Sequence, residues 1–265
     1  MSRTLIIIIL VFCVSSCSKQ LSKPSFISFI TANDSIKVSF KNRYKCPLYA
    51  KITDKKTNKP AYVQLEAESE KVIQRFHKKN MNPSSILKTY KYVGYYGVLN
   101  TKGYDTSYNH VYPFRKTSSK IIQGYNGDFS HKGAFSSKSI DFELNVGDTI
   151  VASKPGIVIK MIVKHDKQGT TAEYRDYGNY IMIYHKDNTF SQYVHLKQYA
   201  NLVNVGDIVE ANQPIALSGF TGWTTIPHLH FGVYEPTKTG LESIPIIIDS
   251  IPAKSLKRGN IVTKD

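Results

Sequence analysis

Histidine is the residue type this sequence arranges in a pattern able to bind a metal or move a proton near neutrality. There are eight: His77, His110, His131, His165, His185, His195, His228 and His230. The densest segment runs from Gly219 to Phe231 and ends Pro227-His228-Leu229-His230-Phe231. On a strand starting near Pro227 the side chains alternate. His228 and His230 then project to one side, about 6.6 Å apart, and Leu229 and Phe231 face a core. Such a pair can ligate a metal together, or one imidazole can ligate while the other handles a proton. Tyr193-Val194-His195-Leu196 reads in the same way, with Tyr193 and His195 on one face and Val194 and Leu196 on the apolar one. Upstream, a glycine-rich loop from Gly124 to Gly133 carries His131, and Asp141 opens the alternating strand Ile140-Asp141-Phe142. His131, Asp141 and one of the downstream histidines would supply two nitrogens and one carboxylate oxygen around an open fourth position. That is the donor set of catalytic zinc, although other divalent metals also accept it. Other engines are absent: the sequence has no His-Glu-x-x-His, no Gly-x-Ser-x-Gly, no phosphate-binding Gly-Lys-Ser/Thr loop and no Cys-x-x-Cys.

The elements that must position these residues are strands, and the pattern predicts an all-β chain. From Phe26 to about Pro113, short alternating runs such as Ser35 to Phe40 and Tyr62 to Leu65 are separated by Asn33-Asp34 and Thr57-Asn58-Lys59-Pro60 turns. A β-sandwich-like domain over 26–114 follows, with Lys71 to Lys78 as its best short-helix candidate. A second strand-rich region, 115–254, contains an echo. Asn145-Val146-Gly147-Asp148-Thr149-Ile150-Val151-Ala152 recurs as Asn204-Val205-Gly206-Asp207-Ile208-Val209-Glu210-Ala211, each copy a turn feeding a strand, and this implies a sheet built from related halves. Residues 255–265 read as a tail. The polar stretch His165 to Tyr177 reads as a long loop over a groove, where selection of a ligand could reside.

At the start, Met1-Ser2-Arg3 and the apolar run Leu5 to Val14 are too short for a membrane span, which needs roughly 20 apolar residues. A basic start, a short apolar stretch and small residues predict an export signal over 1–16. Val14-Ser15-Ser16-Cys17 resembles the lipobox of bacterial lipoproteins. This implies a lipidated Cys17, a tether over 17–25 and a site at the cell envelope, on the periplasmic or outer-membrane side. The three cysteines include Cys13 within the signal, so the exported chain keeps only Cys17 and Cys46 and gains no internal disulfide. The formal net charge of +15 suits an anionic environment such as wall polymer or lipid headgroups, and export disfavours nucleic acid.

The ordered segments Ser130-His131-x-Gly133, Ile140-Asp141-Phe142, Tyr193-x-His195-Leu196 and Gly219-x-Thr221-Gly222 through Phe231 resemble those of lysostaphin-like peptidoglycan endopeptidases, from about Gln123 to Val233. The resemblance implies a duplicated antiparallel β domain around a groove and one Zn²⁺ per chain held by His131, Asp141 and His230. It also implies that His195 and His228 flank the water and the scissile carbonyl as catalytic residues. The implied activity is hydrolysis of peptide cross-links in peptidoglycan; the alternative is an inactive wall-binding scaffold or an activator of another hydrolase. His185, in a position often histidine in such relatives, could border the groove. Two departures stand out. His131 and Asp141 are ten residues apart, the longer of the family's forms, and Gly232 stands where an acidic residue is frequent.

Overall fold

A computed structural model of the chain describes residues 6–7, 26–99 and 103–264. The expected signal (Ile6 and Ile7 apart), Cys17 and the tether lie outside the described residues. The chain divides into two compact units, Met1–Asn100 with Pro236–Leu241, and Thr101–Glu235 with Glu242–Asp265. The described residues are mostly β, as the alternating patterns require. No described helix is long and apolar enough to cross a membrane.

In the first unit, β1 (Ile27–Ala32), β2 (Ser35–Lys41) and β5 (Glu70–His77) pair antiparallel in the order β1-β2-β5. A second antiparallel sheet has β3 (Leu48–Asp54) between β4 (Pro60–Leu65) and β6 (Tyr90–Tyr96). The segment expected as a helix, Lys71 to Lys78, is therefore strand β5. Its apolar residues suit either period, and two features decide for the strand. Val72 and Ile73 are β-branched, and β2 offers a ladder running from Ser35↔His77 to Lys41↔Glu70. The helix lies instead at Pro83–Thr89 (α1). Proline occupies its first position, and Asn82 caps it by accepting from Ser85 N while Ser85 Oγ accepts from Asn82 N. Ile86 buries its face against Phe29, Ile36 and Val38.

The second unit is built on a sheet of β7 (Ser118–Gln123), β8 (Ile140–Glu143), β10 (Gly156–Ile162), β11 (Tyr180–Tyr184), β12 (Phe190–Val194), β14 (Ile208–Val209), β16 (His228–Thr237) and β17 (Ile261–Thr263). Their order is β14-β10-β11-β12-β16-β8-β7-β17. A smaller sheet has β15 (Pro214–Ser218) between β9 (Thr149–Val151) and β13 (Leu196–Asn201). The core between them includes Phe142, Ile181, Ile183, Leu229, Phe231 and Val233. Tyr112 and Phe114 belong to this core as well. Residues 255–264 do more than trail: β17 pairs with β7, and Val262 is in the core.

The sequence echo appears as one turn used twice. Asn145 N donates to Asp148 Oδ2 and Asn204 N to Asp207 Oδ2, both at 2.8 Å. Gly147 and Gly206 sit at φ 100° and 101°, a backbone region that glycine enters without steric cost. The strands that follow exchange partners. β9 of the first copy pairs with β15 of the second, and β14 of the second pairs with β10 of the first.

Candidate metal centre

Antiparallel register brings the expected ligands together. Across four neighbouring strands Gln123 is opposite Asp141, Asp141 opposite His230, and His230 opposite Val194. Directly opposed residues share a face, so the Asp141 carboxylate and the His230 imidazole emerge side by side. Leu229 and Phe231, fully buried, point the other way into the core. His131 reaches the same spot from the loop after β7. The ten-residue spacing to Asp141 is taken up by a short helical turn, Gly133–Ser136, whose Gly133 adopts φ 75°.

Three donor atoms converge. Asp141 Oδ1 lies 3.0 Å from His131 Nε2 and 2.8 Å from His230 Nδ1, and the two nitrogens are 3.1 Å apart. Donors bound tetrahedrally to one zinc at about 2.0–2.1 Å would sit about 3.3 Å from each other, close to this spacing. The other His131 nitrogen, Nδ1, is 2.8 Å from the Gly124 carbonyl, to which it donates. Nε2 of the neutral ring is then a lone pair facing a carboxylate oxygen and another imidazole nitrogen. A cation between these donors would relieve their crowding, and a divalent metal fits the donor set. Among the described residues this trio is the group of metal-binding side chains whose donor atoms converge.

The charges agree. Burial opposes ionisation of Asp141, but His228, His131 and His230 beside it hold its carboxyl well below the usual carboxylate range. Burial alone would lower the pKa of His131; Asp141 outweighs it and raises it. His230 is lowered by burial, against the pull of Asp141. His195 is pushed well below its ordinary value by burial and then by His228 and His230.

Residues 135–241 match the model of Peptidase family M23. That likeness covers under half of the chain. The match begins four residues after His131 and includes the other four expected site residues. The chain is similar over 125 residues to peptidoglycan DD-endopeptidase ShyB of Vibrio cholerae, at 33% identity, covering 46% of this chain and 26% of that protein. Over 95 residues it is 37% identical to lysostaphin of Staphylococcus simulans, covering 35% of this chain and 17% of that protein. The shared part thus spans about a quarter or less of these relatives. Among solved structures, the catalytic domain of lysostaphin from Staphylococcus simulans aligns with 49% of this chain and 83% of its own, at 24% identity and a TM-score of 0.32.

The two other histidines expected at the site, His195 and His228, stand beside the trio. The rings of His195 and His228 have centroids 4.5 Å apart, and His195 is 6.2 Å from His230. His195 Nδ1 donates to the Thr221 carbonyl at 2.6 Å. His228 Nδ1 lies 2.9 Å from the Ile226 carbonyl and 3.0 Å from Thr224 Oγ1, and His228 Nε2 is 3.8 Å from Asp141 Oδ2. Both rings are therefore held through Nδ1. His195 does not get there by strand alternation. Tyr193 and Leu196 are both in the core, so Tyr193 does not share the face of His195 as the sequence pattern predicts. Between β12 and β13, His195 adopts φ 67°, a left-handed conformation rare for a residue with a Cβ, and that break turns its ring toward the site.

His185 does not border the groove. It is fully buried, with Nδ1 2.7 Å from the Pro155 carbonyl and Nε2 3.0 Å from Ser191 Oγ. No local pattern in the sequence points to Gln123. Its Nε2 donates to Asp141 Oδ2 at 2.9 Å, while its Oε1 accepts from Phe129 N and Ser130 N at 3.0 and 3.3 Å. One amide thus fixes both the carboxylate and the loop that carries His131. At Gly232 an acidic side chain has no room. A Cβ there would come within 2.5 Å of the Tyr234 hydroxyl and 2.8 Å of Ser139 Oγ, and the Tyr234 ring is stacked on Phe135.

Proposed function

We propose that this chain is an exported, zinc-dependent endopeptidase that hydrolyses peptide cross-links of bacterial peptidoglycan. The observation that carries this reading is the meeting of five side chains from four separate segments. Three donors converge on one point, and two anchored imidazoles stand beside it with Nε2 available. A lipid anchor at Cys17 would hold the enzyme at the envelope on the periplasmic or outer-membrane side, and the +15 charge favours residence on an anionic wall. The relatives named for peptidoglycan support the substrate class.

His131, Asp141 and His230 would hold the zinc. Bound there, zinc supplies a Lewis acid for the peptide carbonyl and lowers the pKa of a water from 15.7 to about 7. The protein residues do the rest. Gln123 occupies the second oxygen of Asp141, so that Oδ1 stays aimed at the ion. His195 and His228, with their Nδ1 atoms committed, each present Nε2 as a proton acceptor. Once protonated, the same atoms can donate to the oxyanion or to the leaving amine, a contribution of typically 10²–10⁴-fold.

The test is to measure zinc content and muropeptide release from purified peptidoglycan for the wild type and for His230→Ala. The wild type should carry one zinc and release fragments in a chelator-sensitive manner, and the variant should lose both. A wild type that binds no metal yet still associates with peptidoglycan would establish the scaffold alternative instead.

A further inference from the structure

The chain between His131 and Asp141 folds back on the first of them. Within its helical turn, Gly133–Ser136, Ser136 Oγ donates toward the carbonyls of Ser130 and Lys132, at 3.0 and 2.8 Å. Those carbonyls bracket His131, so one hydroxyl holds the backbone on both sides of a candidate ligand. The turn is tied down a second time by Ser243. Its Oγ donates to the Ala134 carbonyl at 2.9 Å and accepts from Lys138 N at 3.1 Å.

Phe135, next to Ser136, is stacked on Tyr234, with ring centroids 4.6 Å apart and planes 24° off parallel. Tyr234 stands four residues beyond His230 on β16, and alternation puts both on one face of the strand. The Tyr234 hydroxyl fills the space over Gly232 beside Ser139 Oγ, and both of these side chains are buried. Two features far apart in the sequence, the ten-residue spacing and the glycine at 232, therefore serve one contact. The spacing supplies the turn that carries Phe135 and Ser136. Gly232 leaves room for the side chain on which that turn rests.

We propose that Phe135 and Tyr234 are positioning residues, which clasp the loop ligand His131 to the strand that carries His230. The proposal rests on the reading of His131, Asp141 and His230 as a zinc site. A ligand on a loop is placed less accurately than one on a strand unless packing locks it. The clasp does that locking before the metal arrives, so its effect is read as metal affinity. One aromatic pair changes a binding constant by about twofold to tenfold.

The experiment titrates zinc into the metal-free, full-length protein against a chelator of known affinity, at a temperature where the variants are folded. Phe135→Ala should weaken zinc binding by about twofold to tenfold. Phe135→Tyr keeps the stack and should bind as the wild type does. A protein carrying both Phe135→Ala and Tyr234→Leu should bind no more weakly than the weaker single variant, because either substitution alone opens the clasp. Should Tyr234→Leu fail to fold, Phe135→Ala and Phe135→Tyr decide the matter, since Phe135 is only partly buried. Wild-type affinity in Phe135→Ala, equal weakness in Phe135→Tyr, or losses that multiply in the double variant overturn the clasp and leave the zinc site standing. A wild type that takes up no zinc overturns both.

Discussion

Replacing Gln123 by leucine keeps the volume of the side chain and removes its polar end. The structure gives that end two jobs. The amide N–H at 2.9 Å from Asp141 Oδ2 is a hydrogen bond to a charged acceptor, a class worth about 1.5–3 kcal/mol. The amide oxygen serves the Phe129 and Ser130 N–H groups, which sit on a partly exposed loop where water can replace it. The dominant loss therefore falls on the carboxylate. At 1.4 kcal/mol per tenfold, zinc affinity should fall by roughly 10–100-fold, the range usual when a metal ligand loses its outer partner. The assay is a competition titration against a chelator of known affinity at pH 7. Gln123→Glu serves as the control, because it keeps an acceptor for the two loop amides and loses the donor. Both variants should lose affinity together. A Gln123→Leu protein that binds zinc within twofold of the wild type would refute the assignment of Gln123 as the orienter of Asp141.

His195→Ala and His228→Ala should each retain zinc and lose about 10²–10⁴-fold in turnover, as measured by metal content and peptide hydrolysis; loss of the metal in either would overturn the division between ligands and proton handlers. Burial, then the nearby Lys154, depresses His110 to about 4, and burial depresses His185 to about 3. Below pH 6.5 the unfolded chain takes up protons that these folded-state rings refuse. Stability is then full above pH 6.5 and should fall by about 1.4 kcal/mol per pH unit for each ring as pH drops toward 4; urea unfolding at pH 7, 6 and 5 reads this, and a flat profile would contradict it. Gly222→Ala should destabilise the second unit by about 1–3 kcal/mol, since Gly222 has φ 84° and a Cβ there would meet Gly178 Cα and N at 2.6 Å; a thermal midpoint equal to the wild type's would show that the strand Gly222–Trp223 can relax.

What the sequence made legible was local. The shared face of His228 and His230 follows from two-residue periodicity, and β16 realises it with Leu229 and Phe231 buried behind. The paired Val-Gly-Asp turns were visible for the same reason. Gln123 was not, because its importance comes from standing opposite Asp141 in a register no local pattern encodes. The path to His195 was misread, since one left-handed residue reverses the alternation on which face assignment depends. At Lys71 to Lys78 a helix-compatible pattern lost to an available neighbouring strand, whereas Asn82-Pro83 was a readable helix start that the hydrophobic pattern overshadowed.

The exchange of partners between the two echoed copies carries a consequence for how the domain comes into being. Neither copy can close its own hydrogen-bond ladder, because β9 waits for β15 and β10 waits for β14. A nascent chain halted after the first copy would hold bare strand edges, which invite mispairing with other chains. Assembly of the second unit should therefore be a late, all-or-none event, slow for its size because its defining contacts are distant along the chain.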